Sequence, residues 1–418
     1  MKRLLILSLS LVALLLSLFS YFSSSRTKLG STEPLPDFLT AQIAENLANV
    51  RIKKSELEST WNAIKGNFGF IRYKWVNGTF AVCANPQIMN DRRYITVTES
   101  LQKVFQSHPF PNVDLILFLE DSINDNIYPC PIFAFATKGP GRNVILMPDP
   151  TALDETDRGY ITKTIQQEGR HFEWSKKRES IFWRGSPTGP APEEEDLIQD
   201  RWESSPRFHL VQLALAHPAL IDAGFILPVC TQTAPLRWPY TTIGATYSPL
   251  LASKFKTVPS VHPKDHLAYK YLLDIDGNSC CYSRTYWILL SNSLMLKQVT
   301  DNRQWFYKGL QPYHQFVPVE QNLSDLFEKL EWCKSHDREA RNIAKNGTVF
   351  ALQYLQYDSN MQFLKELLLS YAACMEYEPA LEKEDNTQSI IPLYGKIYHT
   401  IKGFLRKKMN KPIASVPV

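Results

Sequence analysis

Three segments of the sequence combine charged and hydroxyl side chains with turns that would expose them. In residues 180–189 (SIFWRGSPTG), a short apolar run delivers Arg184 to a turn that contains Gly185, Ser186 and Thr188. Backbone N–H groups in such a turn, together with the two hydroxyls and the guanidinium of Arg184, would form a cradle for an anion. An arginine before a glycine-rich turn is also a common structural residue, so this alternative stays open.

The second segment, residues 269–296, reads as an apolar strand, an Asp-Gly-Asn turn and a helix from about Ser283 to Leu296. Arg284 then lies in the first turn of that helix, where the positive end of the helix dipole disfavours a cation. A phosphate bound at the helix N-terminus would resolve this conflict. The alternative is that Arg284 forms an ion pair with Asp274 or Asp276.

The third segment is an apolar run, VDLILFL at residues 113–119, which ends in an acidic pair that includes Asp121. In open α/β sheets, ligands bind outside the carboxyl ends of the strands. A carboxylate at that position could act as a general base. An exposed turn residue without a catalytic role is the alternative.

The elements that would position these residues follow an α/β pattern, in which short apolar strands alternate with helical stretches and parallel sheets are expected. A chain of 418 residues is long enough for two domains. The boundary is predicted within residues 165–180. Strands are predicted at 113–119, 131–136, 143–147, 180–183, 269–275 and 315–319, and helices at 39–65, 154–170, 322–334 and 337–376.

Charge and missing motifs exclude several classes of function. All 42 Asp and Glu residues lie between Glu33 and Asp385, whereas ten of the 46 Lys and Arg residues lie outside that span, so the body of the chain is net acidic. A nucleic-acid-binding body would be basic, and no nucleic-acid partner is therefore expected. The sequence contains no phosphate-binding P-loop, H-E-x-x-H, C-x-x-C or G-x-S-x-G motif, which disfavours metalloenzymes and serine hydrolases.

The two ends of the chain indicate a membrane. Residues 4–22 carry no charge and are long enough to span a bilayer, so an uncleaved anchor is expected, with a signal peptide or a buried helix as alternatives. Residues 395–411 place apolar side chains at helical spacing among basic ones, a pattern that suits an interfacial helix or a solvated tail. Equal charge on both sides of residues 4–22 leaves the orientation open.

Three blocks of the sequence together resemble glycosyltransferase family 90, the capsule-associated-protein-like enzymes that include Rumi-type protein O-glucosyltransferases. These blocks are SIFWRGSPTG, residues 266–297 and residues 305–326, and the resemblance covers roughly residues 110–365. It implies a GT-B fold, in which two Rossmann-like halves face a cleft, and an inverting transfer from a UDP-sugar that needs no metal or other cofactor. The implied division of the chain is 1–29 as anchor or signal segment, 30–170 as the acceptor-side domain, 171–350 as the UDP-sugar-binding domain, 351–380 as a closing helix and 381–418 as a basic tail.

The resemblance also assigns roles to individual residues. Asp121 matches the family's catalytic base, and Arg207 resembles an arginine on the donor side. Arg184 and its neighbours match the Arg-Gly-Ser turn, and residues 279–284 match the segment that lies along the nucleotide diphosphate. The complete set expected to bind the donor is Arg184, Gly185, Ser186, Arg207, Ser279, Cys280, Cys281, Tyr282, Ser283 and Arg284.

Two departures from the family bear on where the protein works. Secretory-pathway relatives carry a cysteine pair at the positions of Leu267 and Ser291, and relatives retained in the endoplasmic reticulum end in a KDEL-like tail. We therefore expect a membrane-anchored enzyme whose body faces the cytoplasm.

The expected function is transfer of glucose or xylose from a UDP-sugar to a hydroxyl of a protein, lipopolysaccharide or capsule acceptor. Two alternatives stay open. One is a catalytically silent protein that binds glycans on the same fold. The other is a metal-dependent GT-A transferase, because Asp274-Ile275-Asp276 matches the D-x-D pattern of that class, although the apolar run before it and the glycine after it favour a strand end and a turn.

Overall fold

The computed structural model describes residues 34–107, 109–123, 127–139, 143–190, 204–227, 254–382 and 386–387, with three single positions (195, 199 and 201) between them. The predicted anchor at residues 4–22 and the basic tail at 395–411 lie outside these ranges, so both stay predictions. Within the described ranges, no helix has both the length and the apolar character needed to cross a membrane.

The first half of the molecule, residues 34–169, is built around a six-stranded sheet. Its strand order is β13-β2-β1-β3-β4-β6, where β13 (Asn386–Thr387) comes from the part of the chain that follows the second half. Its helices are α1 (Asp37–Asn46), α2 (Lys54–Ile64), α3 (Arg92–Gln106), α4 (Pro150–Leu153) and α5 (Glu155–Gly169), and its strands are β1 (Phe70–Val76), β2 (Thr79–Ala84), β3 (Val113–Phe118), β4 (Ile132–Ala134), β5 (Thr137–Lys138) and β6 (Val144–Leu146).

The prediction of a parallel sheet is wrong for much of this first half. β1 pairs antiparallel with both β2 and β3, and only β3, β4 and β6 run parallel. The cause is a tight hairpin between β1 and β2, in which Asn77 and Gly78 both have positive φ angles. Asn-Gly favours this two-residue turn, whose twist matches that of the flanking strands.

The second half, residues 178–354, is built around a five-stranded sheet in which every pair of neighbouring strands is parallel. Its strand order, β12-β10-β9-β7-β8, is that of a doubly wound fold, and the order reverses between β7 and β9. Its elements are β7 (Arg178–Gly185), α6 (Pro206–Ala216), β8 (Ile221–Phe225), β9 (Tyr269–Asp274), α7 (Ser283–Leu290), β10 (Leu294–Gln298), β11 (Asn302–Arg303), β12 (Val317–Val319), α8 (Leu326–Ser335) and α9 (Asp337–Tyr354).

A strand pair and the last helix both connect the halves. The short strands β5 and β11 pair antiparallel, so that one backbone ladder bridges the first half and the second. The last helix, α10 (Tyr357–Ala372), returns to the first half, where the ring of Tyr371 packs against Phe133 and its hydroxyl donates to the carbonyl of Asp114. β13 (Asn386–Thr387) then pairs with β2.

Three predicted helices differ from the observed elements. The helix expected over 283–296 ends at Leu290, and the residues from Leu294 form β10, because Asn292 adopts a positive φ that breaks the helix. All five residues of β10 are buried, so its sequence lacks the alternation by which a strand is recognised. The helix expected over 337–376 is divided at Gln356, whose backbone is extended. The helix expected over 39–65 is two helices, α1 and α2.

Candidate active site

A cavity of about 930 Å³ lies between the two halves, at the carboxyl ends of β3 and of the parallel strands of the second sheet. This size falls in the upper part of the usual range for small-molecule sites. Its position agrees with the rule that doubly wound sheets bind ligands where the strand order reverses. The lining includes Glu120, Asp121, Ser122 and Lys138 from the first half, and Thr188, Arg207, Asp276, Gly277, Asn278, Gln298, Thr300 and Glu320 from the second.

Asp121 lines this cavity just beyond the end of β3, where it is held at two points. Its carboxylate oxygen Oδ1 accepts a hydrogen bond from Nη2 of Arg93 at 2.8 Å. Its main-chain carbonyl accepts a hydrogen bond from the hydroxyl of Tyr282, which belongs to the other half. Arg93 is in the first turn of α3, and its own backbone N–H is capped by the carboxylate of Asp91.

Glu120 lines the same cavity beside Asp121. Its partial burial raises its pKa from the usual 4.5 to about 7; Arg93 opposes this shift, whereas Asp121 and Asp91 add to it. The molecule therefore contains two adjacent carboxyl groups at the cavity, of which one is ion-paired with Arg93 and the other is not.

We expect Glu120→Gln to stabilise the protein above pH 7 and to leave its stability unchanged near pH 4. Between pH 4.5 and about 7, the unfolded chain has already lost the proton that folded Glu120 still holds, so wild-type stability falls as the pH rises. After a discount for partial exposure, the gain is about 1 kcal/mol. Thermal unfolding of both proteins at pH 4 and pH 8 measures it; equal differences at the two pH values would contradict the shifted ionisation.

Arg207 is the centre of the second-half wall of the cavity. Its Nη1 donates to the carbonyl of Ser186 at 2.9 Å and to the hydroxyl of Thr188 at 2.5 Å. Its Nε and Nη2 donate to the carbonyls of Asp276 and Ile275, each at 3.0 Å. One guanidinium therefore fixes the turn after β7 and the turn after β9 to each other.

Gly277 permits this close approach of the two turns. A Cβ atom at this position would lie 2.6 Å from the hydroxyl oxygen of Thr188 and 2.8 Å from Nη2 of Arg207. Both distances are too short for a real contact, so any other residue at 277 would require the side chains of Thr188 and Arg207 to move away from this position. Gly189 lies against the backbone of Gly277 with a positive φ, and its N–H donates to the side chain of Asn278.

The predicted anion cradle after β7 is only partly directed at the cavity. The guanidinium of Arg184 pairs with Asp222 at 2.6 Å, and Arg184 is not among the residues that line the cavity. Gly185 is buried at the end of β7 with the ring of Trp183 over it. Ser186 contributes its carbonyl to Arg207, and Thr188 lines the cavity.

Residues 279–284 form a compact link between β9 and α7. Ser279 and Cys280 are buried, and burial raises the pKa of the Cys280 thiol to about 12. The thiol of Cys281 donates to the carbonyl of Ile275 at 2.9 Å. Ser283 is the first residue of α7. These thiols are accordingly packed and protonated groups, not reactive ones.

The alternative to a bound anion, an ion pair between Arg284 and Asp274 or Asp276, is wrong. The guanidinium of Arg284 donates to the carbonyl of Arg184 at 2.6 Å, and it forms no ion pair with any residue that the structure describes. The carboxylate of Asp274 instead accepts hydrogen bonds from the hydroxyl of Thr285 at 2.9 Å and from the ammonium group of Lys297 at 3.2 Å. A positive charge therefore lies in the first turn of α7 without a carboxylate partner.

The Asp-x-Asp pattern at 274–276 is divided between two environments. Asp274 is fully buried and paired with Lys297, whereas Asp276 accepts hydrogen bonds from Thr300 at 2.6 Å and from Asn302 at 2.9 Å. In the described part of the chain, no group of three or more His, Cys, Asp or Glu side chains is arranged to hold a metal ion.

Comparison with known protein families shows to which family the chain belongs. The model of the family described as "Glycosyl transferase family 90" matches residues 71–417. The chain belongs to glycosyl transferase family 90. Several protein O-glucosyltransferases are similar to it at a low level of identity. Protein O-glucosyltransferase 3 of Homo sapiens is 28% identical over 263 residues, which are 62% of this chain and 45% of that protein.

Two further relatives show the same level of similarity. Protein O-glucosyltransferase 2 of Danio rerio is 28% identical over 254 residues, 60% of this chain and 44% of that protein. Protein O-glucosyltransferase 1 of Rattus norvegicus is 28% identical over 235 residues, 56% of this chain and 52% of that protein. The matches thus span about half the length of these family 90 relatives.

Two residues of this family 90 site escape analysis of the sequence alone. Arg93 lies 28 residues before Asp121, and no local pattern connects them; only the packing of α3 beside β3 does so. Glu120 carries a signal that could have been used, because it is the first member of an acidic pair at the end of an apolar strand.

Proposed function

We propose that this family 90 glycosyltransferase transfers glucose or xylose from a UDP-sugar to a hydroxyl group of a protein, lipopolysaccharide or capsule acceptor, with inversion at the anomeric carbon and without a metal ion. The observation that carries this proposal is that Asp121 and Arg207 line one cavity from opposite halves. In this proposal Asp121 would supply the base and Arg207 the donor-side cation, on the two sides of a cavity whose volume of about 930 Å³ is sufficient for a nucleotide sugar. The names of the relatives, protein O-glucosyltransferases, favour glucose as the sugar.

In this proposal, Asp121 is the general base. The acceptor oxygen attacks the anomeric carbon from the face opposite the diphosphate, its proton passes to the Asp121 carboxylate, and the bond between the sugar and UDP breaks. The hydrogen bond from Arg93 occupies Oδ1 of Asp121, which leaves Oδ2 for the acceptor hydroxyl. A positioned base of this kind accelerates transfer by about 10²–10⁴-fold.

The leaving diphosphate requires donors and positive charge on the second half. The first-turn backbone N–H groups of α7, which receive no side-chain cap from Tyr282, and the positive end of the helix dipole supply one set. Arg284 lies in the same turn, and Arg207 lies at the cavity wall beside Thr188. These groups would stabilise the charge that develops on UDP as the bond breaks.

The test is release of UDP by the full-length protein from a panel of UDP-glucose, UDP-xylose, UDP-galactose and UDP-N-acetylglucosamine, each with and without EDTA. We expect one donor to be turned over at the same rate with EDTA present. Turnover that EDTA abolishes and Mn²⁺ restores would instead support a metal-dependent transferase. No turnover with any donor, together with no change in melting temperature on addition of UDP, would support the silent glycan-binding alternative.

A further inference from the structure

Tyr282 combines a strained backbone with a contact between the two halves. Its φ of 49° and ψ of −114° place a bulky residue in a region that L-amino acids rarely adopt, immediately before the first residue of α7. Such conformations persist only where the surrounding contacts fix them, and they concentrate at functional sites.

The residues on both sides of Tyr282 are anchored to the second half. The thiol of Cys281 donates to the carbonyl of Ile275 at the end of β9, and the backbone N–H of Arg284 donates to the carbonyl of Cys281 at 3.0 Å. The hydroxyl of Tyr282, by contrast, donates to the main-chain carbonyl of Asp121 in the first half. Burial raises the pKa of this hydroxyl well above 10, so it keeps its proton and donates throughout the working pH range.

Asp121 is therefore fixed by two elements of different halves. Arg93 of α3 holds its carboxylate from within the first half, and Tyr282 holds its main chain from the segment that leads into α7. The same segment ends at the helix N-terminus where the donor diphosphate would bind. A change in the position of this segment must change the position of the base.

We propose that Tyr282 is a positioning residue, which transmits the placement of the donor segment to Asp121 and so sets the distance between the base and the anomeric carbon. This inference rests on the proposed function, in which Asp121 is the base. It assigns Tyr282 a role on the first-half side of the cavity, in addition to the donor-side role that the family resemblance implies.

Tyr282→Phe tests this role, since it keeps the ring and removes only the hydroxyl. We expect kcat for transfer to fall by about 10- to 100-fold, because an ångström-scale displacement of a catalytic group has an effect of this size. The donor KM and the affinity for UDP, measured by calorimetry, are expected to change by less than about twofold. If Tyr282 only stabilised the fold, the substitution would lower the melting temperature but would not lower kcat selectively while KM stayed constant.

The matched control is Tyr286→Phe, one turn further along α7. The hydroxyl of Tyr286 bonds to Thr162 and to Gln356 and makes no contact with Asp121. Removal of this hydroxyl changes the contacts between the halves but no contact of Asp121. We expect this variant to keep wild-type kcat at temperatures below its melting transition.

A double-mutant cycle with Asp121→Asn separates the outcomes. If Tyr282 acts through the base, Tyr282→Phe slows transfer in the wild type but has less than a twofold effect when Asp121 is already Asn. Wild-type kcat in Tyr282→Phe, or equal losses in Tyr282→Phe and Tyr286→Phe, would overturn the inference while Asp121→Asn still showed its expected loss of about 10²–10⁴-fold in kcat. Wild-type activity in Asp121→Asn would instead overturn the proposed base, and with it the premise of this inference.

Discussion

Asp121→Asn is expected to abolish transfer while leaving the binding of UDP unchanged. The amide keeps the shape of the side chain and can still contact Arg93, but it cannot accept the proton of an acceptor hydroxyl. The loss in kcat is expected to be about 10²–10⁴-fold. UDP release with the preferred donor measures kcat, and calorimetric titration with UDP measures binding.

Asp265→Asn provides a matched control, because Asp265 is an exposed carboxylate of the second half that does not line the cavity. It should behave as wild type in both assays. If Asp121→Asn kept more than about a tenth of wild-type transfer, the effect would be too small for a general base, and the assignment would fail. A parallel loss of UDP affinity would point to a collapsed cavity.

Arg207→Ala is expected to reduce both UDP affinity and turnover, with a loss of about 10²–10³-fold in turnover. The guanidinium donates to the carbonyls of Ser186, Ile275 and Asp276, so its removal leaves the carbonyls of Ser186 and Asp276 without this donor and breaks the link between the two turns. Arg207→Lys should recover little, since an ammonium group cannot reproduce the fork of the guanidinium. Calorimetry with UDP and the release assay measure the two losses.

Arg178→Ala is the control for a lost arginine in the same sheet. Arg178 begins β7, at the end of that strand opposite to the cavity, and it is exposed. We expect this variant to bind UDP as the wild type does. Normal UDP affinity in Arg207→Ala would show that the diphosphate does not depend on this wall of the cavity.

The sequence contains enough information to predict the α/β class and the strand that leads to Asp121. VDLILFL is apolar except for Asp114, as expected for a strand covered on both faces, and the acidic pair after it marks its end. The helix predicted at 154–170 is observed as α5 with nearly the same bounds, because Asp154 caps it and two acidic residues lie in its first turn.

Other features depend on contacts between distant residues and could not be read from local patterns. The ion pair of Arg184 with Asp222 requires β8 to lie beside β7. The buried strand β10 looks like a continuation of α7 until its pairing with β9 is known. The hairpin of β1 and β2 is different, since Asn77-Gly78 is a recognisable turn signal that the sequence analysis did not use.

The return of α10 to the first half has a consequence for how the protein folds. Tyr371 fills space against Phe133 and binds the carbonyl of Asp114, and β13 adds an outer strand to the same sheet. During synthesis, the core of the first half therefore cannot be completed until more than 200 later residues have been made. Domains usually fold as units in the order in which they are synthesised. A chain cut between the two sheets would leave a first half with an uncovered apolar face and an open sheet edge, the two features that promote aggregation.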